Sequence, residues 1–155
     1  MTSKTTTIPT TSIDPDVAAG VAQFLSPLVV NLQALAVDSK QAHWHVRGTN
    51  FIGVHELLDD VVAHAQEFAD LAAERIVALG LPVDARVQTI AAKTTTPQVS
   101  DGFQQSGDSI AEVITQIDAT LELVRIAVDE LDEIDLTSQD IVIEIARGLE
   151  KDRWF

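Results

Sequence analysis

Five side chains in this sequence are of the right type and spacing to hold a metal: His43, His55, Asp59, Asp70 and Glu74. His55 and Asp59 stand four apart in HELLDDVVAHAQEFADLAAER (55–75), as do Asp70 and Glu74, and on a helix residues four apart share a face. Eleven residues separate Asp59 from Asp70, close to three whole turns, so both pairs fall near one stripe. At about 1.5 Å of rise per residue the pairs lie roughly 16 Å apart, whereas imidazole and carboxylate ligands sit about 2 Å from a metal such as zinc. One ion cannot take both pairs from one straight helix. Two copies of the helix, packed antiparallel about a two-fold axis, would bring His55 and Asp59 of one chain to Asp70 and Glu74 of the other and create two equal sites. His43, in AHWH at the end of the preceding helical stretch, is placed to add one more ligand. Two imidazoles and three carboxylates suit iron, manganese or zinc better than copper(I).

A di-iron site inside a single bundle is built differently, from Glu-x-x-His on each of two helices. No Glu in this chain stands three residues before a His. A metal would therefore lie outside the monomer's own bundle. The competing reading is a solvated acidic face, with His55 a surface or capping residue and His43 half-buried. Against it stands the conjunction of two pairs on one stripe with AHWH just upstream. His45 points about 200° away from His43, and His64 about 180° from His55, so neither belongs to the stripe.

The elements that must position these residues are legible from periodicity. Asp14 and Pro15 offer an N-cap and a first helical residue. Val17, Val21, Phe24, Leu25, Leu28, Val29, Leu32 and Leu35 follow at helical spacing towards AHWH. Pro27 inside this run predicts a kink or a late start, and Gly48 is the expected C-terminal cap. A second helix spans about 51–79, stopped by Gly80-Leu81-Pro82. A long connection over 83–100 contains a short helical piece at RVQTIAAK, and a third helix covers about 102–133. Thr137 or Ser138 is expected to cap a fourth that runs to the end. Four amphipathic segments with no strand pattern between them make an all-α four-helix bundle over 14–155, preceded by a flexible tail over 1–13.

The chain has 155 residues, long enough for one domain with a real core. Its 24 acids against 10 bases give a net charge of −14, which disfavours nucleic acid and anionic membranes and favours cations. With no Cys, disulfides, Cys-type zinc sites and thiol catalysis are excluded; one Met and no Tyr make the chain tolerant of oxidants. The Thr-rich N-terminus has no apolar leader segment and no unbroken apolar run is long enough to span a bilayer, so a cytoplasmic location is expected, with no membrane partner.

KQAHWHVRGTNFIGVHELLD (40–59), with DLAAER (70–75) and the terminal LEKDRWF, resembles the Dps family, the mini-ferritins of bacteria and archaea. The motif is His, His twelve on, Asp four later, Asp eleven later and Glu four beyond. The resemblance implies a ferritin-like four-helix subunit, with a short extra helix between the second and third, assembling into a hollow homododecamer. It also implies a ferroxidase site shared across each two-fold axis, with His43, His55 and Asp59 from one subunit and Asp70 and Glu74 from the other, and with capacity for two irons. Fe2+ would be oxidised there, preferably by hydrogen peroxide, and stored as ferric oxide in the cavity, protecting against oxidative damage. Asp140 and Glu144 fall where the family lines a three-fold pore, or are plain surface acids. Trp44 either packs at an interface or takes up stray oxidising equivalents. Family members that bind DNA use basic tails; here the N-terminal segment has Lys4 alone, so strong direct DNA binding is not expected.

Two other readings compete. The same ligands could hold divalent metals that activate water against an amide or ester, although the chain has neither HExxH nor GxSxG. A structural DNA-compacting shell is the other, which the charge opposes.

Overall fold

Residues 11–155 are described by a computed structural model. The elements, in order, are α1 (Pro15–His45), β1 (Val46–Arg47), α2 (Phe51–Ala78), α3 (Val87–Lys93), β2 (Gln104–Gln105), α4 (Ser106–Leu131) and α5 (Leu136–Trp154). The four long helices form the bundle, and α3 is the short extra helix expected in the long connection. The first ten residues, with Lys4 and most of the expected tail, lie outside the described residues.

α1 starts where the sequence says: the Asp14 carboxylate accepts the Asp16 amide at 2.8 Å, and Pro15 fills the first turn. It then runs unbroken through Pro27, so there is no late start. A proline inside a helix forfeits one hydrogen bond, a cost of about 3 kcal/mol. Burial of Leu25, Leu28, Leu32 and Leu35, all 0% exposed, offsets it. α1 is apolar enough overall to cross a bilayer by length and composition, although no unbroken apolar run marks it. Those side chains instead go into the core, against Leu58, Ala65 and Ile76 of α2, Ile117, Leu121 and Val124 of α4, and Ile145 and Leu149 of α5.

Three sequence expectations shift. Gly48 is not the cap of α1; the helix ends at His45 with Val46 as cap, and Gly48 (φ 95°) turns the chain towards α2 together with Asn50 (φ 57°). The reason is a short parallel pairing of Val46–Arg47 with Gln104–Gln105, which no strand pattern announces. A side chain at Gly48 would put its Cβ 2.2 Å from Gln105 Oε1. The same pairing delays α4 to Ser106. Finally, α5 is capped by Asp135, which accepts the Ser138 amide at 2.9 Å, and not by Thr137 or Ser138.

The connection between α2 and α4 is tied down by buried amides. Asn31 accepts from the Thr95 amide (3.0 Å) and donates to Thr95 Oγ1 (2.8 Å), while Gln116 donates to the Pro97 carbonyl at 2.7 Å and to Asp38 at 2.6 Å. α2 and α5 run antiparallel in a register fixed by Arg75 on Asp135 and Ser138, Phe68 on Gly148 and His64 on Asp152.

Candidate metal centre

The last turn of α1 and the first turns of α2 come side by side because residues 46–50 reverse the chain tightly. His43 is thereby buried, 7% exposed, and its ring stacks on that of His55 with centroids 3.6 Å apart and planes 21° from parallel. Each ring is held by the other residue's backbone. His43 Nδ1 lies 2.7 Å from the His55 carbonyl oxygen, and His55 Nδ1 lies 2.9 Å from that of His43. A carbonyl only accepts, so each Nδ1 carries the proton and donates. Both Nε2 lone pairs are left for another partner, with tautomer and orientation fixed by the backbone. That is the support a metal-binding histidine needs.

Asp59 sits beside this pair, with Oδ1 3.3 Å from His43 Nδ1 and also in contact with Lys40 Nζ. The Lys40 hydrogen bond holds the Asp59 carboxyl below the usual carboxylate range, opposed by slight burial and helped by the Lys40 charge. Lys40 is the residue the sequence reading passed over. It stands three before His43, on the same side of α1, and places an ammonium on the carboxylate that a metal ion would need.

An aromatic train backs the corner. Phe51 lies 5.2 Å from the His55 ring, the Arg47 guanidinium 5.9 Å from Phe51 and 4.0 Å over Phe103, and Arg47 donates to the Val46 carbonyl at 2.6 Å. The turn that presents His55 is thus fastened to the segment before α4.

Asp70 and Glu74 are not brought to this corner. Both are exposed at the other end of α2, and neither side chain has a partner among the described residues. Within one chain, no group of three or more His, Asp or Glu among the described residues is arranged to hold a metal. His43, His55 and Asp59 are gathered; the other pair stands apart. Between them, α1 and α2 present a shallow face lined by Val37, Lys40, Gln41, Trp44 and Val62, with Trp44 58% and Val37 64% exposed. His45 turns to Gln41 and meets Phe103 edge-on, off the stripe as its spacing predicts. Asp140 and Glu144 are exposed on α5.

The family model of the ferritin-like domain matches residues 23–155. The structure of Dps from Microbacterium arborescens in its high iron form superposes with a TM-score of 0.89 at 63% identity, covering 92% of this chain and 93% of that one. The DNA protection during starvation protein of Mycolicibacterium smegmatis is 33% identical over 142 residues, which are 89% of this chain and 75% of the relative. DNA protection during starvation protein 2 of Deinococcus radiodurans is also 33% identical, over 85% of this chain, which spans only 55% of that relative's length.

Proposed function

The chain belongs to the ferritin-like family and, within it, to the Dps proteins, and on that premise we propose that it stores and detoxifies iron by oxidising Fe(II) at a site shared between two subunits, with hydrogen peroxide as the preferred oxidant. The reciprocal hydrogen bonds of His43 and His55 carry this reading: they leave the Nε2 lone pair of each ring free, with Asp59 close to the His43 ring. Three of the five proposed ligands stand together within the chain. The other two, Asp70 and Glu74, would come from a second copy across a two-fold axis.

In this reading Fe2+ displaces Lys40 from Asp59 and takes the free nitrogens. Carboxylates favour the harder ferric product, which lowers the potential and eases oxidation. Two ferrous ions give one electron each to a peroxide, whose O–O bond breaks and takes up two protons to leave two waters. Removing both reagents together denies them the route to hydroxyl radical. Assembly into a hollow dodecamer would multiply the net charge of −14 to about −170, drawing cations inward and making uptake salt-sensitive. The exposed Trp44 and Val37 on the α1–α2 face fit a surface that a second subunit covers. A cytoplasmic location belongs to the same reading, and protection of DNA would come from this chemistry, without strong direct binding.

The test is stopped-flow oxidation of Fe2+ on anaerobic addition of peroxide, comparing the wild type with His43→Ala/His55→Ala. The double variant should be slower by about 100-fold or more, the loss of over 2.7 kcal/mol of transition-state stabilisation. Equal slow rates in both proteins would overturn the proposal.

A further inference from the structure

α2 carries a second histidine–carboxylate arrangement, on the side that faces α5. His64 Nδ1 lies 2.8 Å from Asp152 Oδ1. The two partners differ in exposure: the Asp152 side chain is 2% exposed and the His64 side chain 38%. One edge of the imidazole is therefore held by a buried carboxylate, while the residue remains open to solvent. The second carboxylate oxygen of Asp152 is also buried and receives no hydrogen bond from the described residues.

The local packing explains how this pair is set. Gly148, one turn before Asp152 on α5, lets the Phe68 ring lie against the helix backbone; a Cβ there would stand 2.1 Å from Phe68 Cζ. The close approach of the two helices carries Asp152 under His64. The nearby cations also make contacts of their own. Arg153 is bonded to Asp118 of α4, at 3.0 Å through its second nitrogen, and Lys151 lies over the Phe155 ring at 5.4 Å. Asp60, one turn before His64 on α2, adds further negative charge. Burial first, and Asp60 more weakly, push the Asp152 carboxyl up, while the His64 contact and the Lys151 charge pull it down.

We propose that His64 and Asp60 form a divalent-cation site, with Asp152 as the residue that orients the imidazole. A carboxylate that accepts the Nδ1 proton fixes the tautomer that leaves Nε2 free to coordinate, the arrangement that supports metal-binding histidines. Residues four apart on a helix present their side chains together, so His64 Nε2 and the Asp60 carboxylate offer one nitrogen and one oxygen from one face. That donor pair suits Fe2+, Zn2+ or Co2+. Two protein donors leave the other positions to water, so the ion is exchangeable. A bound cation also adds positive charge near Asp152, whose second oxygen receives no hydrogen bond from the described residues. The site is independent of the His43–His55 corner and does not rest on its assignment. The alternative is a simple ion pair between protonated His64 and Asp152, which has no use for Nε2 or Asp60.

The experiment removes the first corner and counts what remains. Co2+ is titrated into the His43→Ala/His55→Ala protein, following visible absorption and heat, and the titration is repeated with His64→Gln, Asp60→Asn or Asp152→Asn added. Adding His64→Gln should remove one Co2+ per chain, and Asp152→Asn should weaken that ion by roughly 10- to 100-fold. Asp60→Asn, at an exposed position that leaves folding intact, should weaken it by roughly tenfold, the loss of about 1.4 kcal/mol. Unchanged stoichiometry and affinity with His64→Gln overturns the site. An effect of Asp152→Asn without one from Asp60→Asn or His64→Gln also overturns it, leaving the ion pair.

Discussion

The two ends of α2 hold the same kinds of side chain in opposite states. At the start of the helix, His55 and Asp59 are engaged by their own chain: the His43 carbonyl takes one, Lys40 the other. Near its end, Asp70 and Glu74, also four apart, stand exposed without a side-chain partner among the described residues. The helix is equally regular at both places. What differs is the neighbour. The last turns of α1 bring complementary groups to the first pair, and none of the described residues does so for the second. Identical spacing becomes a site only where another element meets it, and in the proposed function that element is a second subunit.

The strongest way to break this comparison is to remove the idle end. Asp70→Asn/Glu74→Gln should slow peroxide-driven Fe2+ oxidation by about 100-fold, although these residues lie far from His43 in the same chain. Co-assembling that variant with His43→Ala/His55→Ala sharpens the point. With random pairing, half of the two-fold pairs are mixed and each restores one of its two sites, so about a quarter of the wild-type rate should return. No recovery would mean that the ends do not cooperate between chains.

Lys40 tests the engaged end. Lys40→Gln frees Asp59 from its ammonium, and the Fe2+ concentration for half-maximal rate should fall by roughly tenfold, in the range typical of groups that tune a metal ligand. The maximal rate should change less. A rise in that concentration would mean that Lys40 positions Asp59 and does not compete for it.

The smallest effect concerns what holds the idle end in place. Arg75, next to Glu74, donates to Asp135 at 2.7 Å and to Ser138 at 2.9 Å. Asp135→Ala removes the α5 cap and this contact, and should cost about 1–2 kcal/mol at neutral pH. Burial raises the Asp135 carboxyl, but the Ser138 and Arg75 hydrogen bonds outweigh it and keep it below its usual 3.8. Its contribution is therefore complete above that value and disappears as pH falls through the lower native one. Thermal unfolding of both proteins from pH 7 to pH 3 should show the gap closing; a gap that persists in acid would assign the effect to packing.

Much of the fold was legible because it rests on local rules. Asp14-Pro15 starts α1, Gly80 (φ 89°) ends α2, and RVQTIAAK yields α3 over Val87–Lys93. The misses have non-local causes. Asp-Leu-Thr-Ser at 135–138 contains three possible caps, and Arg75, sixty residues earlier, engages Asp135. The pairing of Val46–Arg47 with Gln104–Gln105 joins segments far apart in sequence and too short to show a period. His64 was set aside because it lies off the metal stripe; its partner is 88 positions away.

By itself the sequence determined the helices, their apolar stripes, the acidic surplus and the register of five candidate ligands, since each follows from spacing along one chain. Only the tertiary structure decided that His43 and His55 lock each other's tautomers, that Lys40 sits on Asp59 and that Asp152 lies buried under His64. A hydrogen bond depends on distances of a few tenths of an ångström between groups that the chain brings together only when it folds.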